Sequence, residues 1–154
     1  MQRTHDELAG IVDLFGGLTR DELTEALVEL AFRDGRDLDE AAVEDAVDAA
    51  TADYRLLEVP HDGDVLVAPG PAAFPTVPDD ADDLPHILDI DRRDVTEPEK
   101  AAALRSRLET DVAALGPGDD DRAETLLDVT YDAEVWIDAT LEPYRDRIHA
   151  RLDA

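Results

Sequence analysis

The hydrophobic period changes once along the N-terminal half, after Tyr54, and this change constrains the fold more than any other feature. Before it, apolar residues recur at helical spacing in three blocks. Thr4 and Glu7 form a T-x-x-E capping box, and Leu8, Ile11, Val12 and Phe15 follow it on one helical face until Gly16 and Gly17. Thr19 and Glu22 form a second box ahead of Leu23, Ala26, Leu27, Leu30 and Ala31, with Gly35 placed as a C-terminal cap. Asp37 or Asp39 opens a third helix with Val43, Ala46, Val47, Ala50 and Tyr54 inward. Beyond it, Tyr54 to Val59 and Val65 to Ala68 are short runs of strand formers. They flank Pro60-His61-Asp62-Gly63-Asp64, whose Asp-Gly step is a hairpin signal. Three short helices followed by a hairpin is the order of a winged helix-turn-helix domain. The expected fold class is therefore mainly α (α+β), with a winged-helix-like domain over residues 1–68.

Residues 69–95 contain five prolines, an acidic run (Asp79, Asp80, Asp82, Asp83) and little periodicity. They read as a proline-rich acidic linker partly pinned to the first unit, with Leu84 to Ile90 able to dock back as a strand or turn. A small helical unit over residues 96–154 is expected next. Thr96 and Glu99 form a third capping box, and Ala101, Leu104, Leu108, Val112 and Leu115 make its stripe. Gly116-Pro117-Gly118 is a turn. Asp119 to Asp121 start a helix carrying Ala123, Leu126, Leu127 and Tyr131 and ending near Trp136. Thr140 caps a last helix with Leu141, Tyr144, Ile148 and Leu152 inward.

Charge restricts where such a chain is stable. Forty acidic residues against 14 basic ones give a formal net charge of −26. A small domain carries roughly 2 to 8 charges in magnitude, and a larger excess strains the compact state until salt screens it. Thirteen of the basic residues are Arg, one is Lys, and there is no Asn. A GC-rich codon bias accounts for Arg and Asp but not for this surplus of acid over base. The charge fits the cytoplasm of a halophile. Disorder is the competing reading of high charge, but 44% hydrophobic residues at helical spacing supply a core. The absence of Cys excludes disulfides and thiolate chemistry. No basic region followed by an apolar run marks a secretory signal near the N-terminus. The longest uncharged stretch, Val65 to Pro78, also contains Pro69, Pro71 and Pro75, so no membrane span is expected.

The residues around Leu18 to Gly35, and Ala68-Pro69-Gly70-Pro71-Ala72-Ala73-Phe74-Pro75, resemble an uncharacterised family of short acidic haloarchaeal proteins. The resemblance covers most of the chain. It implies salt adaptation and brings no assigned activity and no functional residue.

Catalytic chemistry is poorly supplied. Ser106 is the only Ser and sits in a helical stretch between Arg105 and Arg107, where a solvent-facing role fits better than a nucleophile. His5, His61, His86 and His149 are scattered, with no paired spacing for a transition metal. Asp34-Gly35-Arg36-Asp37-Leu38-Asp39 and Asp62-Gly63-Asp64 lack calcium-loop spacing. The three aspartates after Gly118 occupy the favourable field of a helix start and would repel phosphate. No catalytic residue, metal or cofactor is expected. Pro75-Thr76-Val77-Pro78 matches P-x-x-P, but a stiff linker explains it more simply.

Two functions fit what remains best, ahead of a third, an enzyme using paired carboxylates, since forty carboxylates always include pairs. The favoured one is a non-catalytic protein-interaction module, binding a protein partner or itself through an apolar helix face or the hairpin edge. The alternative is a winged-helix DNA-binding transcriptional regulator, whose cationic rim would be Arg20, Arg33, Arg36 and Arg55. Against nucleic acid, the expected recognition helix from Asp39 to Asp53 has Asp39, Glu40, Glu44, Asp45, Asp48 and Asp53 and no base to read a base edge or phosphate.

Overall fold

The computed structural model describes residues 4–138 and 140–153. Among these residues the chain has seven helices and one two-stranded antiparallel sheet, an α+β fold. It divides into two compact units, residues 1–96 and 97–154.

The first unit opens with α1 (His5–Leu14), α2 (Arg20–Arg33) and α3 (Glu40–Ala52). Both N-terminal capping boxes form. Thr4 and Thr19 accept from the backbone N–H of Glu7 and Glu22 at 3.0 and 3.1 Å, and the two glutamates reach back to the threonine N–H groups. Asp39, not Asp37, caps α3 by accepting from the Ala41 N–H. At the end of α2, Gly35 has φ +70° and the Arg36 N–H returns to the Ala31 carbonyl, the glycine-closed helix end that the sequence implies. α3 ends the same way without a glycine. Tyr54 takes φ +60° while the Arg55 N–H bonds the Ala50 carbonyl. A left-handed tyrosine is strained; full burial of its side chain holds it there.

β1 (Leu56–His61) pairs antiparallel with β2 (Asp64–Pro69) in a register that sets Val59 opposite Leu66. Asp62 and Gly63 both have positive φ, +49° and +89°, as a tight two-residue hairpin turn requires. Both faces of the hairpin are covered: Leu57, Val59, Leu66 and Ala68 are buried on one face and Leu56 and Val67 on the other, and it is Leu56 and Val67 that join the core of α1, α2 and α3. The other edge of β2 also has a partner. Leu18, between α1 and α2, forms an antiparallel bridge with Val67, exchanging bonds of 3.0 and 2.6 Å.

Residues 69–95 are part of the first unit's packing and not a spacer between units. The sequence reading as a linker rested on prolines and charge, which report backbone stiffness and solvation but not docking. Ala81 and Leu84 are fully buried in the core made by α1, α2 and α3, and Leu84 begins a single-turn helix, α4 (Leu84–Ile87). The Thr76 N–H bonds the Asp6 carbonyl, so the P-x-x-P segment lies against α1. A Cβ at Gly10 would overlap the Thr76 backbone, and one at Gly16 would overlap the Arg93 carbonyl. Glycine at these sites lets the strap approach α1 closely.

The second unit contains α5 (Glu97–Ala113), α6 (Asp120–Trp136) and α7 (Glu142–Leu152), which pack on one another. Leu104, Leu108, Val112, Leu126 and Ile148 are buried as their spacing predicts. Two expectations differ. Tyr131 is exposed, because Val129, Thr130 and Ala133 turn the buried face of α6 away from it. The cap of α7 is Leu141 and not Thr140; the Glu134 carboxylate of α6 accepts the Leu141 N–H at 2.8 Å, as the N3 carboxylate of a capping box would.

Candidate functional site

The four arginines of the expected rim point to different partners. Arg20, in the first turn of α2, lies 2.8 Å from Asp48, 3.3 Å from Glu44 and 3.2 Å from Glu58, tying α2 to α3 and β1. Arg33, in the last turn, pairs with Asp83 at 2.9 Å and Glu29 at 3.5 Å and donates to the Asp80 carbonyl. Arg55 pairs with Asp6 of α1 at 2.8 Å. Arg36 is exposed, and among the described residues its side chain has no ion pair. Three of the four thus join parts of their own unit and do not form a shared cationic surface.

Arg92 and Arg93 act similarly, although no local pattern marks them. Arg92 donates to the Asp13 and Leu14 carbonyls at the end of α1, where the helix dipole favours a cation. Arg93 grips Glu22 with two bonds of 2.7 and 3.1 Å across 71 residues and also reaches the Gly17 carbonyl. Burial alone would raise the Glu22 carboxyl. The hydrogen bonds from Arg93 and Thr19 outweigh it and hold the group below its ordinary value.

The outward side of α3 has the opposite character. Glu40, Glu44, Asp45 and Asp48 are exposed together with Ala41, Ala42 and Ala49, and no base interrupts them. Across from its N-terminal half runs a groove of about 670 Å³. Thr24, Val28, Ile87 and Leu88 supply its less polar lining, and Asp21, Glu25 and Glu29 on α2 face Glu40 and Glu44 on α3. Val28 is 41% and Ile87 47% exposed, and Phe32, one turn beyond Val28 on α2, is 77% exposed. Glu29 and Glu44 already face Arg33 and Arg20. Among the described residues Asp21, Glu25 and Glu40 have no cationic partner.

The other candidates remain apart. Ser106 is on the exposed side of α5. His5 pairs with Asp53 at 3.2 Å and His61 lies 3.5 Å from Asp62; His86 is in α4 and His149 in α7. Among the described residues no three His, Asp or Glu side chains gather as a metal site. At the start of α6, the Asp119 carboxylate accepts the Gly116 N–H at 2.8 Å, so the turn's donor is taken from within. No helix among the described residues is long and apolar enough to cross a membrane.

Three capped helices, a hairpin and the docked segment 69–95, followed by a three-helix unit, define a small α+β protein with an open groove lined by five carboxylates together with Thr24, Val28, Ile87 and Leu88. The chain belongs to the family of unknown function DUF7109, which it matches over residues 6–153. No curated protein and no solved structure matches it.

Proposed function

We propose that this protein is a non-catalytic interaction module of a halophile cytoplasm, working through the face formed by α2, α3 and α4. The carrying observation is that Val28 and Ile87 stay half-exposed in a groove lined by Asp21, Glu25, Glu29, Glu40 and Glu44. In a helix-turn-helix protein the outward side of α3 would meet nucleic acid. Here carboxylates would meet phosphates, and of the four rim arginines only Arg36 is not engaged internally. Apolar contact with a protein has no such obstacle. The charge of −26 supports a setting in concentrated salt, where repulsion is screened.

A winged-helix regulator is the second reading. It is favoured by the Leu18–Val67 bridge, which brings the α1–α2 connection onto the hairpin as a further strand. Selection from random duplex DNA at about 2 M KCl, beside light scattering and a pull-down in the same buffer, separates the two. The module reading expects no enriched motif, and either self-association or a retained protein. A single enriched motif, weakened by Arg36→Ala, would favour the regulator.

A further inference from the structure

We propose that the groove between α2, the start of α3 and α4 receives one amphipathic, lysine- or arginine-rich helix of a protein partner. The inference rests on the interaction-module reading and names the partner's chemistry. Asp21, Glu25 and Glu29 follow one another at four-residue spacing on α2, and Glu40 and Glu44 do so on α3. Like charges at that spacing destabilise a helix, and here two such rows also face each other across the same cleft. Only Glu29 and Glu44 have an arginine beside them.

Val28, Ile87 and Leu88 line the same groove, with Phe32 one turn beyond Val28 on α2. From Asp21 to Glu29 the α2 row spans about 12 Å at 1.5 Å per residue, a little over two helical turns. Two turns of an amphipathic helix offer three or four apolar side chains on one stripe. They would cover Val28, Ile87 and Leu88 while cations on the same helix meet the carboxylates that line the groove. A second copy of this chain is a poor occupant, because the first unit has 25 acidic and seven basic residues, a net −18. Docking two such surfaces would bring carboxylates into direct contact, a range that a Debye length of about 3 Å in molar salt leaves only partly screened, whereas a basic helix would pair with them.

The test uses the full chain at the lowest KCl concentration that leaves it helical. The probe is a fluorescent peptide of about five turns, with Leu at i, i+3, i+4 and i+7 and Lys elsewhere. A scramble of identical composition and a version with Glu in place of Lys serve as controls. The Leu/Lys peptide is expected to bind one to one and at least about tenfold more tightly than its scramble. Val28→Ser combined with Ile87→Ser should weaken it by about tenfold, whereas Val135→Ser, in the second unit, should leave it unchanged. Glu25→Lys with Glu40→Lys should shift preference toward the Glu peptide. These changes fall on exposed or half-exposed side chains, and equal melting temperatures verify the fold. Equal binding of the scramble, indifference to both groove variants, or no binding would each overturn the groove proposal. If the proposal fails while a protein partner is still retained at about 2 M KCl, the module reading survives with its contact elsewhere. An enriched DNA motif would instead remove the module reading itself.

Discussion

The two units reach stability by different routes. The first is closed by contacts between residues far apart in sequence: Arg93 to Glu22, Arg33 to Asp83, the Thr76 N–H to Asp6, and the strap crossing Gly10 and Gly16. The second is three helices with ion pairs on or between neighbouring helices. Arg107 and Arg122 share Asp111, Arg145 meets Glu134 and Arg147 meets Glu109. Charge is uneven as well. The first unit is net −18, and the second, with 15 acidic and seven basic residues, is net −8. Acidic surplus therefore accumulates where closure depends most on long-range contacts, so that unit should be the more sensitive to both salt and backbone fit.

Salt should break the comparison open most widely. Lowering KCl from multimolar to about 0.1 M should reduce the melting temperature by on the order of 20 °C. Hydrogen exchange on the intact chain should show residues 4–96 losing protection before residues 97–153. A melt indifferent to KCl would remove the argument from charge, and the opposite order of opening would reverse the assignment between units.

Backbone fit comes next. Gly16→Ala adds a Cβ at φ +78° that overlaps the Arg93 carbonyl, and should cost about 3 kcal/mol or more. Gly118→Ala, at φ +87° with open space around it, should cost only about 1 kcal/mol. Urea unfolding of both variants measures the gap. Equal losses would mean that the strap does not dock on α1.

Ion pairs should sharpen the contrast by a smaller amount. Arg93→Ala removes the two guanidinium hydrogen bonds that Glu22 accepts and should cost about 2 kcal/mol. Arg147→Ala breaks an exposed pair and should stay within about 0.5 kcal/mol. Thermal melts in the same buffer decide this, and a ranking in the other order would contradict the division drawn above.

The smallest effect is pH-dependent. The Glu22 carboxyl is held below its ordinary value in the folded chain, so its contribution is fully present above the ordinary carboxylate range. It is lost as pH falls through the lowered folded value. Glu22→Gln should therefore destabilise most near neutrality, and its difference from the parent should shrink toward acid. A difference independent of pH would show that Glu22 acts only by filling space.

Much of the local structure was legible. Thr4 and Thr19 cap as their spacing implies, Asp62-Gly63 turns the hairpin, and Leu8, Ile11, Val12 and Phe15 are buried. These signals act within one or two turns of chain, where propensity and hydrogen-bond geometry decide. The candidate groove was only half legible. The acidic face of α3 can be read directly, but Ile87 and Leu88 come from a segment whose prolines suggested a spacer. Sequence spacing also does not tell which acids an arginine meets.

By itself the sequence determined the starts of α1 and α2, the hairpin turn, the change from helix to strand, the helical second unit and the charge. Each is written in neighbouring residues, through caps, positive-φ turn positions, apolar period and simple counting. Only the tertiary structure decided that residues 69–95 pack into the first unit, that Leu18 pairs with Val67, and that Arg20, Arg33 and Arg55 are engaged internally. It also decided that α3 ends on a left-handed Tyr54 and that Glu134 of α6 accepts the Leu141 N–H at the start of α7. Those outcomes depend on which groups come together once loops close, and loop closure joins residues that no local period connects.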